Sequence, residues 1–309
     1  MDRPLIIGNV HNMSLESWID ESDEYPHLVA QFTCVMEGVE CFFTDFCHTD
    51  DYITSQCHFL QVCCAAVWLH DVYNVNVKGI SITAQTSYSS VVYLKNVSGT
   101  TVQLNTTCSP TNMYESSMGI AIYEATSIEV HSSSANNCSA GLVLFNTTNT
   151  NITKVTAMYN QFMGICFDTG IDTNINNTIA AHNAWFGVTL STMINTHINT
   201  ITAHNDRNGM RILTMNDTHI TNVTATDNGW YGIVLAESNN IYMTKTVATH
   251  NGHDIGIFGA LHTARGQILI IYTTNTHIVN TSFTDVSAQS TSSTVYNTAS
   301  LLAIIALLR

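Results

Sequence analysis

Histidine and aspartate recur at one position of a repeat in the second half of the chain. His182, His204, Asp227 and His250 follow one another at a nearly constant spacing, and each stands directly before an asparagine. If a fold stacked successive repeats, these imidazole and carboxylate groups could hold a metal ion or bind a sugar through paired hydrogen bonds. The alternative is that these are solvated turn residues that vary from repeat to repeat and bind nothing.

An insertion follows this column. Met243 and Ile278 occupy equivalent positions, but the chain between them is longer than one repeat by about twelve residues. The extra residues near 253–267 carry four further ionisable side chains, His253, Asp254, His262 and Arg265. Because insertions on a rigid scaffold often carry function, we predict that a ligand or metal binds where the column meets the insertion. A plain surface loop is the alternative.

Clustered acids, which would mark a polysaccharide-cleaving site, are not found in the repeat. Asp172 and Asp217 are two repeats apart, a separation near that of the carboxylates of inverting glycosidases. Asn149 and Asn195 fill the same column, however, and this composition favours Asx turns. No catalytic residue is predicted, and the chain reads more as a binding protein than as an enzyme.

These positions belong to a repeat with a period of about 23 residues, which is typical of a solenoid, in which each unit buries its apolar face only against its neighbours. Each unit begins with glycine, at Gly119, Gly141, Gly164, Gly187, Gly209, Gly232 and Gly256. Apolar residues alternate after each glycine, as at Ile120 and Ile122, and an alternation of period two predicts strands.

Two further segments complete each unit. A second strand is predicted by an apolar column, Ile152, Ile175, Ile198, Ile220 and Met243, with polar neighbours such as His197 and His219 pointing outward. A third short strand ends in a small residue and then asparagine. Identical positions of stacked coils repeat at about 4.8 Å. We therefore predict a structural amide ladder of Asn137, Asn160, Asn183, Asn205, Asn228 and Asn251.

A unit of the type Gly-Ile-x-Leu, Asn-Thr-x-Ile and Ala-x-x-Asn, clearest in residues 164–183 and 187–205, resembles the repeats of the pectin-lyase-like superfamily. The resemblance covers residues 67–285 and is nearest to the repeats of carbohydrate-binding and sugar-hydrolase-type domains. It implies a right-handed parallel β-helix, and it implies no particular reaction. Enzymes of this superfamily usually hold substrate on outward positions of the first strand, which here are Ala121, Val143, Cys166, Thr189, Arg211 and Val234, with Asp168 two residues after Cys166. Asp168 and Arg211 are two coils apart, about 10 Å by strand spacing, and we expect them to be isolated surface residues.

The predicted fold is all-β, a right-handed parallel β-helix solenoid with an N-terminal cap and about 8–9 coils of roughly 22–24 residues each. Residues 1–66, which are acidic and rich in cysteine, are assigned to the cap, and residues 67–285 to the repeats. Residues 286–309 form a tail with a short apolar C terminus. A cap would protect the exposed edge of the first coil from aggregation.

Six cysteines without zinc-finger spacing predict disulfides in the cap: Cys34, Cys41, Cys47, Cys57, Cys63 and Cys64. Ten N-glycosylation sequons agree with a secreted glycoprotein. The residues from Met1 to Pro4 lack the apolar core of a signal peptide, so secretion would require an upstream leader. We expect an extracellular or cell-surface location.

Charge and hydropathy exclude some partners. Nine Lys and Arg residues against 23 Asp and Glu leave no basic stripe for phosphate groups, so nucleic acid is not an expected partner. The apolar run Leu301–Leu308 is too short for a helical membrane span, although with Ser290–Ser293 it follows the outline of a lipid-anchor signal. No cofactor motif is present, and a metal ion on the histidines is the one cofactor left open.

Three functions agree with these patterns. The first is a non-catalytic extracellular β-helix scaffold that contacts polysaccharide or a cell-surface protein, because regular columns persist while acid clusters do not. The second is a polysaccharide-active enzyme of lyase, hydrolase or epimerase type that uses the His-rich insertion. The third is an intracellular substrate-recognition module.

Overall fold

Strands and the turns between them make up the part of the chain whose structure is described. The computed structural model describes residues 5–8, 14–16, 27–30, 65–84, 90–108, 118–252, 268–271, 274–279, 282–283, 286–289 and 292–295. They form β1 Leu5–Gly8, β2 Ser14–Glu16, β3 His27–Ala30, β4 Ala65–Tyr73, β5 Asn76–Ala84, β6 Ser90–Cys108, β7 Met118–His131, β8 Ser134–Asn136, β9 Ala140–Thr153, β10 Thr156–Met158, β11 Met163–Ala181, β12 Phe186–Ala203, β13 Met210–Leu213, β14 Asn216–Thr221, β15 Thr224–Thr226, β16 Ile233–Ala236, β17 Asn239–Thr244, β18 Val247–Thr249, β19 Ile268–Ile271, β20 Thr274–Val279, β21 Ser282–Phe283, β22 Val286–Gln289 and β23 Ser292–Val295. These residues include no helix long and apolar enough to cross a bilayer.

Each strand pairs in parallel with the strand one repeat away. β11 and β12 pair at Ile165↔Val188, Ile175↔Ile198 and Ala180↔Thr202, so all three strand positions of a coil are paired, with a shift of one residue between Asn176 and Thr178. The same spacing relates β12 to β13, β14 and β15, and these in turn to β16, β17 and β18. About seven turns stack in this way between residues 90 and 252. The predicted parallel β-helix is confirmed.

Parallel pairing also extends outside the predicted limits of 67 and 285. β1, β2 and β3 pair with β4 and β5, and β22 and β23 pair with β19 and β20. Backbone hydrogen bonds carry this pairing, so a segment can join the ladder without matching the side-chain repeat. The predicted disulfide cysteines Cys34, Cys41, Cys47, Cys57, Cys63 and Cys64 lie outside the described residues, as does the apolar run Leu301–Leu308.

Inward positions of the first and second strands form the core. The alternating residues after each glycine are buried, from Ile120 and Ile122 to Ile233 and Leu235. The predicted second column, Ile152, Ile175, Ile198, Ile220 and Met243, is buried as well. Burial of each large aliphatic side chain stabilises the fold by about 1.5–3 kcal/mol, and each coil supplies several. Both inward assignments are confirmed.

A column of buried threonines runs beside the second apolar column. Thr150, Thr173, Thr196 and Thr218 lie in register in successive coils. Within the described structure their hydroxyl oxygens are buried without a hydrogen-bond partner. A buried hydroxyl that neither protein nor water pairs costs about 1–3 kcal/mol.

The repeating glycines are explained by the close approach of neighbouring coils. A Cβ on Gly164 would lie 2.7 Å from the carbonyl oxygen of Gly187, and a Cβ on Gly187 would lie 2.6 Å from the carbonyl oxygen of Gly209. Contacts under 3.0 Å essentially never occur for real Cβ atoms, and here the neighbour is backbone, which cannot turn aside. Glycine therefore recurs once per coil because the neighbouring backbones leave no space for a side chain there.

A disulfide joins Cys108, the last residue of β6, to Cys138. The two cysteines belong to successive coils, because β6 and β8 pair at Thr107↔Asn136 just before them. Sequence analysis did not single out this pair, since the cysteines are 30 residues apart and follow no motif.

Three long connections join the third strand of one coil to the first strand of the next coil. They are made by residues 31–64, 109–117 and 250–267. The same connection between β15 and β16 needs only residues 227–232. We call this position the insertion corner.

Candidate functional site

The asparagine ladder lies at the insertion corner. Asn160, Asn183, Asn205, Asn228 and Asn251 are buried, and each side-chain amide donates to the Oδ1 of the next asparagine at 2.8–3.0 Å. The backbone N–H of the same residue donates to that oxygen too, at 2.9–3.2 Å. Every step of the ladder thus ties two coils together through two hydrogen bonds.

Asn137 does not occupy the place that the sequence predicted for it. Its backbone has φ 57°, and the N–H that donates to Asn160 Oδ1, at 3.0 Å, belongs to Cys138. The offset arises because two residues separate Cys138 from Gly141, whereas three separate Asn160 from Gly164. The head of the ladder is therefore Cys138, which the disulfide ties to the preceding coil.

The predicted histidine column stands one residue before the ladder. Tyr159, His182, His204, Asp227 and His250 are exposed and have left-handed backbones, with φ between 52° and 59°. The rings of Tyr159 and His182 stack with centroids 5.1 Å apart, and those of His182 and His204 stack at 5.0 Å. We call these three rings the corner stack. Asp227 and His250 continue the column in the next two coils without a ring contact to it.

The other residues of the predicted site belong to the insertion. His253, Asp254, His262 and Arg265 lie outside the described residues. The chain leaves the column at His250 and enters the insertion directly after Gly252, so the column and the start of the insertion share one corner.

A second ring column projects from the middle strand of the coil. His197, His219, Tyr242 and His277 stack with centroid distances of 4.9, 5.0 and 5.1 Å and interplanar angles of 5° to 14°. We call these four rings the sheet stack. Sequence analysis noted the two histidines of β12 and β14 but missed that the stack continues to His277. The signal was available, because each member directly precedes a residue of the second apolar column.

Neither stack has the geometry of a metal site. An imidazole binds a metal through a nitrogen lone pair in the plane of the ring. In the His197–His219 pair the rings are 4.9 Å apart and nearly parallel, so their lone pairs do not converge on one point. Among the described residues, no three His, Cys, Asp or Glu side chains form a group able to hold a metal ion.

The outward face of the first strand is buried. Cys166, Thr189 and Arg211 point away from the core, yet each is at most 3% exposed. Asp168 is buried too, and the Arg211 guanidinium lies 5.4 Å from the ring centre of Phe186. The expectation that Asp168 and Arg211 are isolated surface residues is wrong, because periodicity shows which way a side chain points and not what covers it.

Aromatic residues continue this buried face toward the N terminus. Tyr93 and Tyr123 pack with ring centroids 5.4 Å apart, and Tyr123 and Phe145 at 5.7 Å. Burial raises the pKa of Tyr93 to about 12, with a smaller contribution from the Glu124 carboxylate, and burial also raises the pKa of Tyr123. Both phenols therefore stay protonated at neutral pH and cannot act as bases there.

The Arg207 guanidinium lies between the indole rings of Trp185 and Trp230, in the turn that follows the asparagine ladder. The Arg207 guanidinium carbon is 4.0 Å from the ring centre of Trp185 and 4.7 Å from that of Trp230. Backbone hydrogen bonds place the three residues in one column, because Arg207 N–H donates to Trp185 and Trp230 N–H donates to Arg207. Sequence analysis missed this column, which lies in a turn where the repeat carries no apolar alternation.

The column of Asp172 and Asp217 forms turns, as the sequence predicted. Asn149, Asp172, Asn195 and Asp217 have φ of 54°. The Asn195 amide donates to Asp172 at 2.6 Å, and the Asn240 amide donates to Asp217 at 2.8 Å. Each carboxylate is thus paired with an amide of the next coil.

Two solved structures share this fold. Full-length tailspike protein 2 from an Escherichia coli O157:H7 bacteriophage is 12% identical with a TM-score of 0.53, and the match covers 76% of this chain and 37% of that one. DFA-IIIase from Arthrobacter chlorophenolicus A6 is 7% identical with a TM-score of 0.51, over 77% of this chain and 61% of that one. This chain spans less than two thirds of either protein, and the likeness shows the fold alone.

The family comparison is more extensive. No curated protein matches the chain. One family model does, and it covers residues 73–301, which is more than half of the sequence and includes every turn from β6 to β23. The chain therefore belongs to the family described as periplasmic copper-binding protein (NosD).

Proposed function

We propose that this chain is a non-catalytic, extracellular β-helix scaffold that contacts carbohydrate or a cell-surface protein. The observation that carries the proposal is the pair of exposed ring columns, the corner stack and the sheet stack. Both hold polar ring edges at a spacing near 5 Å on a rigid frame, and such preorganised groups suit repeated hydrogen bonds to a polymer.

The proposed contact at the insertion corner includes the column of His182, His204, Asp227 and His250. His253, Asp254, His262 and Arg265 belong to the same proposal through their place in the chain, directly after Gly252. The fold, which the tailspike protein and DFA-IIIase share, does not determine the ligand.

An extracytoplasmic location is supported by two observations. Cys108 and Cys138 form a disulfide, and disulfides persist in oxidising compartments. The family is described as periplasmic. Together they favour the scaffold over an intracellular recognition module.

Copper, which the family description names, is not part of this proposal. The described residues do not fit a copper centre, because the stacked imidazoles are parallel and none of the described His, Cys, Asp and Glu side chains gather in groups of three. We assign no role to the metal in these coils.

The test is binding of the purified chain to a panel of neutral and acidic polysaccharides. The variant replaces the histidines of both stacks in β11 to β14 by asparagine, at His182, His204, His197 and His219. The matched control is His131→Asn, a histidine that belongs to neither stack. Wild type and control should bind at least one polymer about tenfold more tightly than the stack variant, which corresponds to about 1.4 kcal/mol.

Three results would replace the proposal. Equal binding by the stack variant would remove the ring columns from the site. Turnover of a polymer, detected as new reducing ends or unsaturated sugars, would favour the polysaccharide-active enzyme. Free thiols at Cys108 and Cys138 in protein from its natural source would favour the intracellular module.

A further inference from the structure

The sheet stack presents ring edges rather than ring faces. Successive rings are nearly parallel at 4.9–5.1 Å, so each inner ring has a neighbour over both faces. A sugar that stacks on an aromatic face would find the faces of His219 and Tyr242 occupied. What the column offers to a ligand is a row of imidazole nitrogens and one phenol hydroxyl.

These edges are open to solvent. His197, His219 and Tyr242 are exposed, Tyr242 by 42%. Within the described part of the chain, the polar ring atoms of these three residues make no hydrogen bond to protein. The stack is thus a row of hydrogen-bonding groups that are held in place by each other and not used by the fold.

The charge of the row depends on pH. Imidazole is the side chain whose charge changes most readily near neutral pH, so a row that contains three histidines can carry positive charge along one line. Among the described residues, the charged groups of the column and of the turns beside it include Asp172 and Asp217, each paired with an asparagine amide, Glu237 before β17, Lys245 after β17 and Glu129 at the far end of the column.

Protonated rings about 5 Å apart repel one another unless anions lie beside them. Anionic groups attached to one polymer at regular intervals would contact several ring edges at once, and multivalency would raise the affinity of the polymer. The proposed function makes a polysaccharide, and not a polyphosphate backbone, the anionic chain to consider; the excess of 23 acids over 9 Lys and Arg residues opposes contact of either polyanion with the rest of the surface.

Resting on the proposed function, we infer that the sheet stack binds a linear acidic polysaccharide, whose carboxylates lie along the β-helix axis against successive ring edges. Protonated imidazoles donate to carboxylate oxygens, so binding strengthens as the pH falls through the range where imidazole titrates. The neutral amides of Asn151 and Asn174, which continue the column, mark where this charged part of the surface ends.

The experiment measures binding of the full chain to polygalacturonate at pH 5.5 and 7.5 and at constant ionic strength. Dextran is the neutral probe and a single-stranded oligonucleotide is the second polyanion. The loss variant is His197→Asn with His219→Asn, which installs the residue that this column already carries at Asn151 and Asn174. The gain variant is Asn174→His, which adds a fifth ring, and the control is His131→Asn.

Wild type and control should bind polygalacturonate about tenfold more tightly at pH 5.5 than at pH 7.5, as expected for two or three charge pairs at a solvated surface. The ratio should fall to within about twofold in the loss variant and rise in the gain variant, with unchanged circular dichroism in both. An unchanged ratio in the loss variant overturns the inference.

The probes separate this inference from the proposed function. Dextran bound as tightly as polygalacturonate would overturn the acidic ligand and leave the carbohydrate-binding scaffold standing. Binding of the oligonucleotide at equal strength would overturn the polysaccharide as the ligand class. Failure to bind either polysaccharide at either pH would overturn this inference together with the carbohydrate contact of the proposed function.

Discussion

Removal of the Asn205 side chain should destabilise the solenoid by about 3–4 kcal/mol. Its Oδ1 accepts from Asn183 N–H at 3.1 Å and from the Asn183 amide at 3.0 Å, and its own amide donates to Asn228 at 2.8 Å and to the Ala180 carbonyl at 3.2 Å. Four buried hydrogen bonds at about 1 kcal/mol each would total about 4 kcal/mol.

Part of this loss is compensated. After Asn205→Ala, the Asn228 Oδ1 still accepts from the residue 205 backbone N–H at 3.2 Å, and the Asn183 amide still donates to the Ala157 carbonyl at 3.2 Å. The Asn183 backbone N–H keeps no such alternative. We therefore expect a loss of about 3 kcal/mol, which is less than the roughly 4 kcal/mol obtained by adding the four hydrogen bonds.

Urea unfolding followed by circular dichroism measures this loss. The matched control is Asn199→Ala, a half-buried asparagine whose side chain makes no hydrogen bond within the described structure, and it should cost less than about 0.5 kcal/mol. Equal losses for the two variants would refute the reasoning, because the ladder would then contribute no more than an ordinary surface amide.

The remaining predictions concern the core, the disulfide, the threonine column and the buried tyrosine. Ile198→Asp places a charge in a buried column and should cost several kcal/mol, seen as loss of β-sheet circular dichroism at about 25 °C; a folded variant would contradict the column. Replacement of Cys108 and Cys138 by alanine should lower the free energy of unfolding by about 2–4 kcal/mol, and a difference that persists between the two proteins in reductant would argue against the bond as its cause. Thr196→Val should raise stability by about 1 kcal/mol if the hydroxyl is unpaired, whereas a loss would mean that water satisfies it. Because the folded pKa of Tyr93 is raised to about 12, from near 10 in the unfolded chain, its contribution to stability is complete below pH 10 and is lost between pH 10 and 12; a Tyr93→Phe variant should lose less stability over that range in alkaline denaturation.

Strand type, coil period and inward columns could be predicted from the sequence because each depends on local spacing. Alternation after Gly164 and Gly187 could arise only from strands, and so short a repeat could bury those strands only by stacking. The asparagine ladder was predicted in the same way and misplaced at Asn137, where a turn shorter by one residue shifts the alignment. Spacing predicts a column reliably only where turn lengths are constant.

The sequence by itself determined which residues share a column wherever the turns have constant length, as from Asn160 to Asn251. Only the tertiary structure decided what those columns meet: that Arg211 and Asp168 are covered, that Cys108 reaches Cys138, and that His277 stacks on Tyr242 across the insertion. The physical reason is that burial, disulfide pairing and ring stacking depend on segments far apart in the chain. Whether these segments come into contact depends on how the coils pack and not on the composition of any single coil.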